Sequence, residues 1–200
     1  MPPYDNRTYL IVDDRGDALC IDPSMGERQV MSAVRDDGLR LLAILNTHGH
    51  DDHIWDNASL KEATQARLAI HRADAYRLDP RTRPRTSPPE SAPASVADDL
   101  FEEGPLGYLA DLRLETLHTP GHTEGSSCFY LPAENVLFSG DLLFAGNIGR
   151  VDLPGGDARA MERSLARVAA LPPDTRVYPG HGEATTIADE LGWLSGLRLS

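Results

Sequence analysis

The chain has 200 residues, 40% of them hydrophobic and 25% charged, with a formal net charge of −12. That size allows one large domain around a sizeable core, and no apolar run approaches the ~20 residues that span a bilayer. The acidic balance argues against a nucleic-acid partner, because phosphate binding needs a basic face.

The start, "MPPYDNRTYLIVDDRGD", shows no basic stretch followed by a long apolar core, so no secretory signal is expected and a cytoplasmic location is the default. Cys20 and Cys128 are too few for a disulfide framework and are expected to be reduced core thiols. "TYLIVD" (8–13) and "ALCID" (18–22), joined by "DRG", predict a hairpin. "GERQVMSAVRDDG" carries Val30, Met31 and Val34 at helical spacing before a glycine stop. "LRLLAILN" (39–46) is continuously apolar, as for a strand covered on both faces. A helix is expected in "ASLKEATQA", a strand in "ARLAI" and a short helical piece from "HRADAYRL".

Residues 79–97 hold five prolines and no apolar periodicity, which predicts an exposed or mobile loop interrupting a single domain that runs from 1 to 200. Arg77, Arg81, Arg83 and Arg85 make this region basic, so it either draws an anionic substrate or is a solvated linker. Beyond it, "LRLETLHT", "SSCFYLP", "NVLFSGD" and "TRVYPGHG" read as strands, and "ARAMERSLARVAAL" and "EATTIADELGWL" as helices. These elements suggest two sheets packed face to face with helices outside, an α+β, αββα arrangement.

"NTHGHDDHIWD" (46–56) packs three of the seven histidines into eleven residues, and His48 to His53 spell HxHxDH. Imidazole and carboxylate suit Zn, Fe and Mn, and a loop presenting both from one strand end can serve two adjacent ions. His122 in "HTPGHTEG", Asp141 in "LFSGDLLF" and His181 in "YPGHG" repeat the placement, each beside glycine at a strand end. Loops held there by a rigid scaffold are where binding groups usually sit, and glycine permits close approach or positive φ. His71 and His118 fall outside the pattern and are expected to be structural or capping residues.

HxHxDH followed by His122, Asp141 and His181 in this order resembles the metallo-β-lactamase superfamily over nearly the whole chain. The resemblance implies an αββα sandwich with metals at one edge. It implies that His48, His50 and His122 bind one ion, Asp52, His53 and His181 a second, and Asp141 both. Asp22 in "CIDPS" matches the family aspartate that steadies the HxH loop; a strand-end turn cap is the other reading.

"HTPGHTEGSSCFY" and "FSGDLLFAGNIGRVDLPGGD" look like the short glyoxalase II-like hydrolases and also like the persulfide dioxygenases. Arg150 and Asp152 match the GR-x-D segment of the latter, either shaping the pocket or pairing to pin the loop. Full-length hydroxyacylglutathione hydrolases carry a C-terminal helical domain with most glutathione contacts, and this chain shows no match to it.

The expected activity is hydrolysis of a small thioester or ester, such as a glutathione conjugate. Two divalent ions serve it, zinc first and iron or manganese next, with Asp52 and Asp141 as catalytic carboxylates. The alternative enzyme is a persulfide dioxygenase with one iron on His48, His122 and Asp141. A non-catalytic metal-binding module and a nuclease fit less well: no donor of the set is missing, and no basic RNA-binding extension is visible.

Overall fold

The computed structural model describes residues 5–84 and 91–199. The opening hairpin forms, with β1 (Tyr9–Val12) antiparallel to β2 (Asp17–Ile21). Helix α1 (Glu27–Asp36) leads to β3 (Arg40–Asn46), which lies parallel to β2. The one-turn α2 (Asp51–Ile54) and α3 (Asn57–Thr64) lead to β4 (Arg67–His71), parallel to β3. A 3₁₀ turn covers Arg72–Leu78, and β5 (Asp99–Phe101) completes a five-stranded sheet in chain order.

The second sheet draws on β6 (Gly104–Leu106), β7 (Leu114–His118), β8 (Ser127–Leu131) and β9 (Val136–Gly140). After a small ribbon, β10 (Leu143–Phe144) with β11 (Asn147–Ile148), come α4 (Ala158–Val168), β12 (Arg176–Pro179), β13 (Thr185–Thr186) and α5 (Ile187–Leu194). Its order is β13-β12-β9-β8-β7-β6, with β9 and β12 parallel.

Side-chain alternation along the strands sorts three cores. Leu19, Ile21, Ala43 and Leu45 from the first sheet meet Phe129, Leu131, Val136 and Phe138 from the second. The intervening Ala18, Cys20 and Ile44 turn the other way and lie under Val30 of α1, Ile54 of α2 and Leu60 of α3. Cys128, Tyr130, Leu137 and Val177 are covered by Met161, Leu165 and Val168 of α4 and by Ile187 of α5. The result is the expected αββα sandwich, and each fully buried Leu, Ile or Phe in it contributes about 1.5–3 kcal/mol. Asp157 caps α4 by accepting from the Ala160 N–H at 2.9 Å. Both cysteines are buried and unpaired with each other. No described helix is long and apolar enough to cross a membrane.

Several details depart from the sequence reading, among them that the helix expected from Glu183 starts only at Ile187, after β13. β5 and β6 were not anticipated, because three-residue segments that pair only through neighbouring strands carry no period. The Pro-rich region has no helix or strand among its described residues, yet it is not simply exposed. Arg83 and Ala92 are buried, and both the Arg83 guanidinium and the Ala92 N–H bond to the Asp51 carboxylate. Arg77 is fully buried against Asp74 and Glu124, and Arg81 pairs with Asp79, so none of these three forms a free basic patch. Arg85 lies outside the described residues. His71 caps the 72–78 turn by accepting from the Ala73 N–H, and its ring stacks on His118.

Candidate metal centre

The seven donors converge at one edge of the sandwich. His48 follows the end of β3, His50 stands just before the first residue of α2, and Asp52 and His53 sit on that single turn. His122 lies in the β7–β8 connection, and Asp141 and His181 follow β9 and β12. Because β9 and β12 are parallel, with Pro179 registered on Gly140, Asp141 and His181 emerge side by side. The Gly180 N–H donates to the Gly140 carbonyl at 2.8 Å, holding the ends of β9 and β12 together, and the Ser127 N–H donates to the Thr47 carbonyl at 2.9 Å, fastening the second sheet to the first.

Three donor groups form among the described residues: one joins Asp22 to His48 and His53, and the other two are an inner and a rim group. In the inner one, His48, His50 and His122 are all buried and place their ligating nitrogens within 4.8 Å of one another. The rim group, Asp52, His53 and His181, meets the same limit, with Asp52 and His181 side chains 21% and 22% exposed. Asp141 touches both, 3.5 Å from His122 Nε2, 3.4 Å from His53 Nε2 and 3.4 Å from His181 Nε2.

The hydrogen bonds behind the rings decide which nitrogens face inward as lone pairs. His122 Nδ1 lies 2.7 Å from the Arg150 carbonyl, which only accepts, so Nδ1 carries the hydrogen and Nε2 is bare. Thr47 donates its hydroxyl to Asp22 at 2.6 Å, so its oxygen accepts from His48 Nδ1 at 3.1 Å and leaves His48 Nε2 bare. His53 Nδ1 donates directly to Asp22 at 2.9 Å. The bare Nε2 atoms of His48 and His122 thus face the same cluster, in which His48 Nε2 lies 3.1 Å from His50 Nδ1 and His53 Nε2 lies 3.2 Å from His181 Nε2. His122 Nε2 and Asp141 Oδ1 are buried with no hydrogen-bond partner. Buried polar atoms left without a partner are costly unless a cation lies among them. The donor set therefore fits divalent metal, and it mixes imidazole and carboxylate as Zn, Fe and Mn prefer.

The two groups differ in proton affinity. Burial and neighbouring imidazoles hold His48 and His50 well below the ordinary histidine value, with Arg77 adding to the effect at His50. Burial also opposes charge on His53, but Asp141, Asp52 and Asp22 outweigh it and push His53 up to about 9. Asp141 is drawn down to about 2 by His53, His181 and His122 despite burial.

Asp22 does more than cap a turn. One oxygen accepts from the Thr47 N–H at 2.8 Å, and the other accepts from the Thr47 hydroxyl and from His53. It holds this place at φ 47°, left-handed backbone that aspartate tolerates better than most residues. Arg150 and Asp152 form an exposed pair at 2.7 Å, and the contact toward the centre is made by the Arg150 carbonyl rather than its side chain. Glycine beside the donors has the expected cause at Gly180, where a Cβ would lie 2.3 Å from Asp141 Oδ1. At Gly49 the cause is different, since a Cβ there would lie 2.5 Å from Arg77 Cβ.

Residues absent from the sequence reading complete the surroundings. Asn6 donates to Asp52 Oδ2 at 2.9 Å and its backbone bridges to His181. Asp74, fully buried, accepts from the Gly49 N–H, the Thr123 hydroxyl and the Gly125 N–H. "HRADAYRL" shows only a polar residue in a short helical piece, with no signal that its partners lie in two distant loops.

The metallo-β-lactamase superfamily model matches residues 1–181. The chain is 34% identical to the probable metallo-hydrolase YqgX of Bacillus subtilis, over 94% of this chain and 90% of that one. It is 36% identical to a hydroxyacylglutathione hydrolase of Polaromonas sp., over 89% of this chain but 62% of that one. Among solved structures, the B3 metallo-β-lactamase BLEG-1 superposes with a TM-score of 0.89 at 33% identity, covering 96% of this chain and 94% of that chain. TTHA1623 in a di-iron-bound form gives 0.81 at 37% identity, covering 94% and 93%. ETHE1 from Myxococcus xanthus gives 0.80 at 30%, covering 96% and 81%. With the sandwich, the edge cluster and these relatives in agreement, the chain belongs to the metallo-β-lactamase superfamily, among its glyoxalase II-like, hydrolase-type members.

Proposed function

We propose that the protein is a metal-dependent hydrolase that cleaves a small thioester or ester, with glyoxalase II-like chemistry. The observation that carries this reading is the Asp141 carboxylate shared between the inner and rim groups. His48, His50 and His122 would hold one divalent cation, Asp52, His53 and His181 a second, and Asp141 both, with zinc the first choice and iron or manganese next. A bound pair of such ions supplies a water deprotonated near neutral pH and polarises a substrate carbonyl.

The chain's own residues orient and hold charge. Asp22 fixes the His53 and His48 tautomers, directly and through Thr47. The Arg150 carbonyl fixes that of His122. His53, His181 and Asn6 keep the Asp52 carboxylate ionised against the effect of burial. Kept ionised at the partly exposed rim, Asp52 would accept a hydrogen bond that orients the attacking water. A thiolate leaving group, with a pKa of about 8.5, needs little help from an acid. The name of the Polaromonas relative makes S-lactoylglutathione the first substrate to try.

The GR-x-D segment at Arg150 and Asp152 keeps one second reading, oxidation of a persulfide at a single iron on His48, His122 and Asp141, and the TTHA1623 relative shows that a 37% identical chain takes iron, there as a pair. Metal quantification followed by assays with S-lactoylglutathione, a lactone, a β-lactam and glutathione persulfide separates the two. Thioester cleavage with two metal equivalents and no oxygen uptake is expected; oxygen consumption with the persulfide as the main activity overturns the hydrolase.

A further inference from the structure

We propose that Asp74 is a positioning residue of the inner donor group, tying the His48–His50 loop and the His122 loop to one buried carboxylate so that three imidazoles from two sheets face a common point. The proposal rests on the metal-centre reading above. Its particular content is that the inner group depends on Asp74 and the rim group does not.

Three contacts carry it. Asp74 Oδ2 accepts from the Gly49 N–H at 2.9 Å, between the two histidines of the HxH segment. The same oxygen accepts from the Thr123 hydroxyl at 2.8 Å, one residue after His122. Asp74 Oδ1 accepts from the Gly125 N–H at 2.8 Å. The Gly49 N–H and Thr123 hydroxyl, from loops at the ends of different sheets, are thereby held against the same oxygen.

The glycines supply a second, steric observation. A Cβ at Gly125 would lie 2.7 Å from Asp74 Cβ, and one at Gly49 2.5 Å from Arg77 Cβ. Both loops therefore press their backbone onto the 72–78 turn, at a distance only glycine allows. Arg77 braces that turn: its Nε lies 3.4 Å from Asp74, and its Nη2 donates to Glu124 at 2.6 Å and to the Pro154 carbonyl at 2.9 Å. The rim donors have ties of their own: Asn6 donates to Asp52 and its backbone bridges to His181, and Asp22 accepts from His53. A carboxylate with two backbone N–H donors and a hydroxyl is a strong fixed anchor, and support of this kind typically sets metal affinity by roughly 10–100-fold.

The test is a cobalt(II) titration of the metal-free full chain, read by its visible absorption and by competition with a chelator. Asp74→Asn is compared with His122→Ala, which removes an inner donor, and His181→Ala, which removes a rim donor. Asp74→Asn keeps the volume but turns an amide against one N–H donor. The expected result is that Asp74→Asn weakens one of two binding steps at least tenfold and copies the spectrum of His122→Ala, with the other step unchanged. Two wild-type-like steps, or equal loss of both, overturn the proposal. If wild type binds no cobalt, the metal-centre reading itself fails, and the two failures stay distinct. Should Asp74→Asn not fold, as seen by circular dichroism, Thr123→Val replaces it. That variant removes one of the three ties and should weaken the same step by a smaller factor; unchanged inner binding in it likewise overturns the proposal.

Discussion

The inner and rim groups meet at one carboxylate but are built in different ways. His48, His50 and His122 are buried, and the tautomers of His48 and His122 are set by neutral acceptors, the Thr47 hydroxyl and the Arg150 carbonyl. The rim group has its imidazole His53 locked by a charged partner, Asp22, while Asp52 and His181 remain partly open to water. The inner half is a dry set of lone pairs arranged by backbone and hydroxyl ties. The rim half is a charged cluster that holds a proton when no cation is present. Where a pair of similar sites must do different work, burial and the charge of the backing partner are the means of separating them.

Asp141→Asn breaks the comparison outright, since both groups lose their shared anion. Turnover should fall by several orders of magnitude and metal content should fall at both steps of a titration, with the metal-free fold retained because the replacement is isosteric. Loss of only one step would mean that Asp141 serves a single group.

Proton competition sharpens the contrast. His53 is raised to about 9, so below that pH a proton must leave before the rim accepts a cation. Rim affinity should therefore fall about tenfold per pH unit as pH drops from 9 to 7, following the 1.36 kcal/mol carried by each unit. Inner affinity should stay nearly level in that window, because His48 and His50 are held well below the ordinary histidine value. The sign for stability follows. In the metal-free protein the raised His53 stabilises the fold fully below the ordinary value of 6.5, and that contribution is lost as pH rises through about 9. Chelator competition and melting curves across this range check both statements.

Asp22→Asn should weaken metal binding by roughly 10–100-fold, the usual cost of losing such a support. The rim should suffer more, because Asp22 bonds His53 directly and reaches His48 only through Thr47. The smallest effect is expected from Arg150→Ala. The Arg150–Asp152 pair is exposed, and the carbonyl that serves His122 remains, so metal content and melting temperature should stay as in wild type.

The convergence of the seven candidate donors was legible in the sequence because imidazoles and carboxylates beside glycine at the ends of apolar runs are a rare conjunction, and the sandwich followed from the apolar runs themselves. What stayed hidden shares one physical cause. Asp74, Asn6 and the Arg150 carbonyl act through hydrogen bonds whose partners lie far along the chain, many of them backbone groups that every residue possesses. Arg77 and Arg83 misled for a related reason. Arginine in a proline-rich stretch reads as solvated unless the buried carboxylates that receive it, Asp74 and Asp51, are known. Gly49 was noticed, but its purpose was not, since the crowding comes from Arg77 rather than from an ion.

The Asp51 carboxylate receives the Arg83 guanidinium on the way out and the Ala92 N–H on the way back. The chain thus departs from and returns to a single mooring next to the donors, like a bight of rope on one cleat. Lengthening a segment closed in this way costs only about 0.6 kcal/mol per doubling, so insertions between the two tie points should leave Asp51 and the histidines beside it in place.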